Sequence, residues 1–167
     1  MHIGILGAES TGKSTLAKQL AEHFSGIYIE EYARAYVESL SRPYNETDVE
    51  NIARMQVQQL SKSYPAKYVF FDTELIITKV WFMDKYGAVP SWLSDTMLTL
   101  KPDFCLLCMP DLPFVADPVR ENPHRREYLT SLYEAELQNY NIPYAVVSGQ
   151  TGARLDTAIN AVLSYSL

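Results

Sequence analysis

Five short apolar runs punctuate the chain, at residues 2–6, 26–30, 67–71, 103–109 and 143–148, and stretches of helical periodicity separate them. From Lys13 onward Leu16, Ala17, Leu20, Ala21 and Phe24 recur every three or four residues and predict a first helix. Thr47-Asp48-Val49-Glu50 has the form of a capping box, and Val49, Ile52, Ala53, Val57 and Leu60 then follow on one helix face. A further helix is expected from Thr73 to Tyr86, stopped by Gly87, and a shorter one from Pro90 to Leu100, ended by Lys101-Pro102. Residues 124–140 read as a polar helix with Leu129, Leu132, Tyr133 and Leu137 inward; the last helix carries Leu155, Ala158, Ile159, Val162 and Leu163. Strands alternating with helices predict an α/β fold around a five-stranded parallel sheet. The segment Met109 to Pro123, with Pro110, Pro113, Pro118 and Pro123, breaks the alternation and is expected to be a surface loop, or a lid if a ligand lies beside it.

The junction between the first strand and the first helix carries the most specific chemistry. Gly7 to Thr15 read GAESTGKST, a complete G-x-x-x-x-G-K-[ST] phosphate loop. Gly7 and Gly12 permit backbone geometry that a Cβ would block. The amides of Glu9, Ser10, Thr11 and Gly12, between strand and helix, are expected to converge on the β-phosphate of ATP at the positive helix end. Lys13 is expected to reach the β- and γ-phosphates, and Ser14, followed by Thr15, to coordinate Mg2+. Glu9 is an anomaly here, since a carboxylate beside a triphosphate is repelled unless it faces the acceptor or pairs with an arginine; we read it as substrate-facing.

Composition narrows the class. With 167 residues, 47% hydrophobic and 20% charged, the chain has one domain's worth of core, and residues 1–167 are read as one unit. A net charge of −6 argues against a nucleic-acid-coating surface. No run approaches the ~18 apolar residues of a membrane span, and the first strand begins at residue 2 with no signal segment before it, so a soluble cytoplasmic enzyme is the expectation. Cys105 and Cys108 form a C-x-x-C, but a spacing of three puts their side chains on opposite faces of a strand, and no second Cys/His pair completes a zinc site; they are read as core thiols.

Other residues fall where such folds bind ligands. Asp72 ends the third strand and is the first choice for the Mg2+ shell, while Glu74 is expected mainly to favour a helix N-terminus. Glu31 after the second strand is a candidate to accept the acceptor's hydroxyl proton, with Tyr32 and Arg34 holding the acceptor; an internal Glu–Arg pair at a solvated helix start explains the same residues. Asp117 and Arg120 lie in the proline-rich segment, with Arg125 and Arg126 just after it. Arg120 is expected to close over the γ-phosphate and neutralise developing charge. The Ser148 to Arg154 turn, including Gln150, is expected near the adenine, although a plain strand-to-helix turn looks the same.

Together these pieces resemble the ribosylnicotinamide kinase domain of the bacterial bifunctional NAD-biosynthesis regulators. The pattern spans nearly the whole chain: G-x-E-S-[ST]-G-K-S from Gly7 to Ser14, E-Y-x-R-x-Y-V from Glu31 to Val37, F-x-D-T-[DE] from Phe70 to Glu74, V-A-D-x-x-R from Val115 to Arg120, and Asn141-Ile142 leading into the last strand. The resemblance implies a three-layer α/β/α P-loop fold of nucleoside-kinase type with a lid, and ATP-dependent phosphorylation of the ribose 5′-hydroxyl of nicotinamide riboside. The chain departs from the family in carrying Glu30 where a tryptophan is usual, D-T-E for D-T-D, and Pro118-Val119 for Gly-Leu in the lid. The adenylyltransferase and DNA-binding parts of those regulators have no counterpart in these residues. A different nucleoside or nucleotide acceptor, or an ATP-binding switch acting on a protein partner, are the alternatives. Whether Glu31 or Asp72 serves as base is left to geometry, and oligomeric state is unaddressed.

Overall fold

Strands β1 (His2–Leu6), β2 (Ile27–Ile29), β3 (Val69–Asp72), β4 (Phe104–Cys108) and β5 (Tyr144–Val147) form one parallel sheet in the order β2-β3-β1-β4-β5. The computed structural model describes residues 1–117 and 124–166. The expected lid residues Pro118, Val119, Arg120 and Pro123 lie outside the described residues. All five strands sit where the apolar runs predicted them, β1 without change and the other four trimmed or shifted by one or two residues.

Period-two alternation sorts side chains into two cores. Ile3, Ile5, Phe70, Phe104, Leu106 and Cys108 pack beneath α1 (Lys13–His23) and α7 (Thr151–Tyr165). Leu6, Val69, Phe71, Cys105 and Leu107 pack on the opposite side under α3 (Glu46–Leu60), α4 (Leu75–Tyr86), α5 (Ser91–Thr99) and α6 (Arg126–Asn139). Helices on both faces of a parallel sheet give three α/β/α layers, as expected. The two free cysteines fall into different cores, and burial pushes the Cys108 thiol up to about 11, the behaviour of packing groups. The short α2 (Tyr32–Glu38) follows β2 and fits the helix start expected at Glu31.

Two helix starts differ from expectation. The capping box of α3 is Asn45 with Asp48, not Thr47 with Glu50: the Asp48 N–H donates to Asn45 Oδ1 at 3.2 Å and the Asn45 N–H to Asp48 Oδ2 at 2.8 Å. Asp48 wins because Arg42 also grips it through two bonds of 2.6 and 2.9 Å, satisfying a buried carboxylate. Helix α4 starts at Leu75 rather than Thr73. Thr73 sits at φ 74°, and Glu74 becomes the cap, accepting the Ile76 N–H at 2.9 Å. All strand carboxyl ends open on the same edge, on either side of β1, the crevice in which open α/β sheets bind ligands.

Candidate functional site

At the end of β1 the chain turns through Gly7 at φ 149°. A Cβ there would lie 2.7 Å from the Cys108 carbonyl oxygen and 2.7 Å from Thr11 Oγ1, so only glycine fits. The Ala8 carbonyl then closes the loop, accepting the Thr11 hydroxyl at 2.8 Å and the Lys13 ammonium at 3.0 Å. Gly12 at φ 77° leads into α1, which has no side-chain cap, and this leaves the first-turn amides for an external anion. Ser14 and Thr15 are exposed at that end.

The loop forms one end of a cavity of about 300 Å³ to which Gly7, Glu9, Ser10, Thr11, Gly12, Lys13, Ser14 and Thr15 all contribute. Its far walls come from four other stretches: Glu31, Arg34 and Val37 around α2, Tyr44 before α3, Ile77, Trp81 and Asp84 on α4, and Leu129 and Tyr133 on α6. The Trp81 indole meets Tyr44 edge-on, centroids 4.9 Å apart, and donates its N–H to the Tyr44 hydroxyl at 3.3 Å. Asp84 takes two bonds of 2.8 and 2.5 Å from the Arg125 guanidinium. Tyr133 is buried between these walls; burial first, then the fields of Glu9, Asp84 and Glu31, hold its hydroxyl far above its usual pKa. Three acidic side chains of the cavity wall, one from the loop and two from the walls opposite it, thus act on the same buried hydroxyl.

Asp72 is 3% exposed, and its Oδ2 accepts the Tyr28 hydroxyl at 3.1 Å. Burial, followed by the Asp72 charge, raises the Tyr28 pKa, which keeps the phenol a donor. Asp72 Oδ1 and Thr73 Oγ1 are buried without a hydrogen-bond partner among the described residues. An orphaned carboxylate oxygen at a strand's carboxyl end fits a cation ligand. Among the described residues no group of three or more His, Cys, Asp or Glu is placed to hold a metal, so one ion here would draw ligands from Asp72, the Ser14 hydroxyl and bound phosphate. Glu74 points elsewhere, packed against Gly4 and Cys105 between β1 and β4, with burial raising its carboxyl to about 7.

The start of the proline-rich segment lies against the phosphate loop. The Val115 N–H donates to Ser10 Oγ at 3.1 Å and the Ser10 hydroxyl returns a bond to the Val115 carbonyl at 3.3 Å. Arg34 pairs with Asp117 at 2.9 Å and with Glu38 at 3.3 Å. Arg126 donates to the Leu112 carbonyl at 2.9 Å.

The expected site residues therefore divide. Every loop residue but Ala8, Glu9 included, lines one cavity with Glu31 and Arg34. Asp72 lies just behind it, and Asp117 is engaged with Arg34. Tyr32 packs on Tyr36 with centroids 5.8 Å apart, and Gln150 is an exposed cap of α7; neither is in the cavity wall. Residues not singled out from the sequence are Tyr44, Trp81, Asp84 and Tyr133. Their signal was a tryptophan and an aspartate at i and i+3 of a helix that otherwise reads as core, and it is weak without the fold. Among the described residues no helix is long and apolar enough to cross a membrane.

Fold and cavity together define a P-loop nucleotide-binding α/β protein with a side-chain-lined chamber beside the phosphate site. The chain belongs to the AAA domain family AAA_28, whose model matches residues 2–154. It is 28% identical over 154 residues to the trifunctional NAD biosynthesis/regulator protein NadR of Escherichia coli strain K12, covering 87% of this chain and 37% of that protein. The crystal structure of NadR protein in complex with NR superposes with a TM-score of 0.84 at 24% identity, over 98% of this chain and 51% of that one. Deoxyadenosine kinase from M. mycoides, with products dCMP and dCDP bound, gives a TM-score of 0.66 at 17% identity, over 98% of this chain and all (100%) of that one. The chain thus spans about half the length of the NadR structure, and little more than a third of the Escherichia coli protein.

Proposed function

We propose that this protein is an ATP-dependent kinase that transfers a phosphoryl group to the ribose 5′-hydroxyl of nicotinamide riboside, giving nicotinamide mononucleotide. The observation that carries the choice of acceptor is the acidic lining of the cavity, where Glu9, Glu31 and Asp84 share the wall with Tyr133 and their charges all act on it. Nicotinamide riboside carries a fixed positive charge on its pyridinium ring. In a partly desolvated chamber, nearby carboxylates attract that cation and offer nothing equivalent to a neutral purine or pyrimidine nucleoside. The likeness to NadR supports the same choice.

The donor end works by positioning and electrostatics. Backbone amides from Glu9 to Ser14 hold the β-phosphate, and Lys13 exchanges the Ala8 carbonyl for the transferring phosphoryl oxygens. Ser14 and Asp72 Oδ1 would hold Mg2+, which neutralises phosphate charge when bound. Glu31 lines the chamber whereas Asp72 lies behind it, tied to Tyr28, so we assign Glu31 as the carboxylate that orients the 5′-hydroxyl and accepts its proton. Arg120 is retained as the proposed partner of the γ-phosphate.

A panel of nucleosides assayed with ATP and Mg2+ tests the proposal. Nicotinamide riboside is expected to raise ATP consumption sharply, with uridine and adenosine far behind. Lys13→Ala is expected to lower turnover by about 10²–10³-fold with an unchanged circular dichroism spectrum. ATP turnover indifferent to every nucleoside would sink the kinase reading in favour of a switch.

A further inference from the structure

Arg154, in the first turn of α7, is an arginine buried in the interior, 4% exposed. Its guanidinium fans out to four carbonyls. Nε donates to Gly149 at 3.0 Å, Nη1 to Thr11 at 3.1 Å and Val147 at 3.4 Å, and Nη2 to Met109 at 3.3 Å. Nη2 also forms an ion pair with Asp111, whose other oxygen accepts the Gly149 N–H at 2.6 Å. One planar fork thus joins three segments: the phosphate loop, the chain leaving β4 toward the lid, and the β5–α7 turn.

The bond to Thr11 has a chemical consequence beyond cohesion. Thr11 and Gly12 share a trans peptide, in which the carbonyl and the following N–H point in opposite directions. Arg154 holds the Thr11 carbonyl from behind the loop, so the Gly12 N–H is turned the other way, toward the cavity that Gly12 lines. A charge-assisted bond on the carbonyl also polarises the peptide and makes its N–H a stronger donor. Lysine, with a single point charge, cannot span the same set of carbonyls.

We propose that Arg154 is a positioning residue for the donor nucleotide: it holds the Thr11–Gly12 peptide in its phosphate-binding orientation and, through Asp111 and Gly149, sets that peptide against the two flanking segments. The inference rests on the nucleotide-binding reading above and assigns Arg154 no contact with either substrate. ATP affinity, measured by calorimetry in the absence of acceptor, is the direct readout. Arg154→Ala is expected to weaken ATP binding about 10- to 100-fold, with the acceptor KM at saturating ATP within about twofold of the parent. Guanidinium ion, added below denaturing concentration, is expected to restore affinity to Arg154→Ala, whereas Arg154→Lys stays impaired. Asp111→Asn, at a half-exposed side chain that leaves the core intact, is expected to weaken ATP binding about three- to tenfold with the same selectivity. ATP affinity unchanged in Asp111→Asn and Arg154→Ala would overturn the inference. So would a parallel loss of ATP and acceptor binding that tracks a reduced folded fraction. A parent protein that binds no ATP would instead bring down the nucleotide-binding reading itself.

Discussion

Glu74→Gln is expected to stabilise the protein at alkaline pH and to leave it unchanged in acid. Glu74 is 1% exposed at the start of α4, facing Gly4 of β1 and the Cys105 thiol of β4, and burial raises its carboxyl from 4.5 to about 7 against the bonds from the Ile76 and Leu75 amides. A raised carboxyl means that the folded state binds more protons than the unfolded state between those two values, so stability falls as pH rises through that window. At about 1.4 kcal/mol per pH unit, the full penalty above pH 7 is about 3 kcal/mol, and it vanishes below the unfolded value. Glutamine keeps an acceptor for the Ile76 N–H and carries no charge to desolvate. Urea unfolding in metal-free buffer at about pH 4.5 and about pH 8.5 separates the cases, because all other titrating groups cancel between parent and variant. The expected gain for Glu74→Gln is about 3 kcal/mol at the higher pH and close to zero at the lower. A difference between parent and variant that does not change with pH would refute the argument, as would a variant less stable in base.

Gly7→Ala forces a Cβ against the Cys108 carbonyl and Thr11 Oγ1 at a φ of 149°; backbone strain and overpacking together predict a loss of about 2–5 kcal/mol, seen as a Tm lower by about 5–15 °C. A Tm within about 2 °C of the parent would contradict the packing argument. Tyr28→Phe removes the donor to Asp72 Oδ2 and is expected to lower kcat about two- to tenfold at saturating substrates, whereas Asp72→Asn should cost about 10²-fold or more and raise the Mg2+ requirement. Equal kcat for the Tyr28 variant and the parent would show that the hydroxyl does not orient Asp72. Trp81→Ala is expected to raise the acceptor KM about tenfold with the KM for ATP unchanged, and a selective change in the ATP value would reverse our assignment of the two cavity ends.

The donor end was legible in the sequence because its machinery is local. A phosphate loop is one strand end, one turn and one helix start, and its donors are backbone amides whose geometry Gly7 and Gly12 permit. The position of Asp72 at the end of β3 was legible for the same reason, since it follows directly on an apolar run. Glu31 and Arg34 were named from the sequence, but the chamber they line was not legible, because Tyr44, Trp81, Asp84 and Tyr133 join them only through the packing of α2, α4 and α6 around the sheet edge. Nothing in the spacing of Tyr44 and Trp81 says that they meet. The capping box of α3 was misread by two residues because Arg42, outside the local pattern, chooses Asp48. Arg154 was read only as the end of the Ser148 to Arg154 turn, since its partners lie up to 143 positions away.

Glu30 stands where the family pattern has tryptophan. Its side chain is exposed and takes no part in the cavity wall. The flat surfaces come instead from Trp81, braced edge-on by Tyr44, and from Tyr133. Both support an aromatic ring near carboxylates, a combination that favours a planar cation over a neutral base. Glu9 completes the logic. Inside a generic phosphate loop a carboxylate only opposes the triphosphate, but on the wall of this chamber it adds to the field of Glu31 and Asp84 felt by Tyr133. That field lies in the chamber wall and falls on whatever the chamber holds, and a pyridinium nucleoside, the acceptor proposed above, would bring it a complementary positive charge.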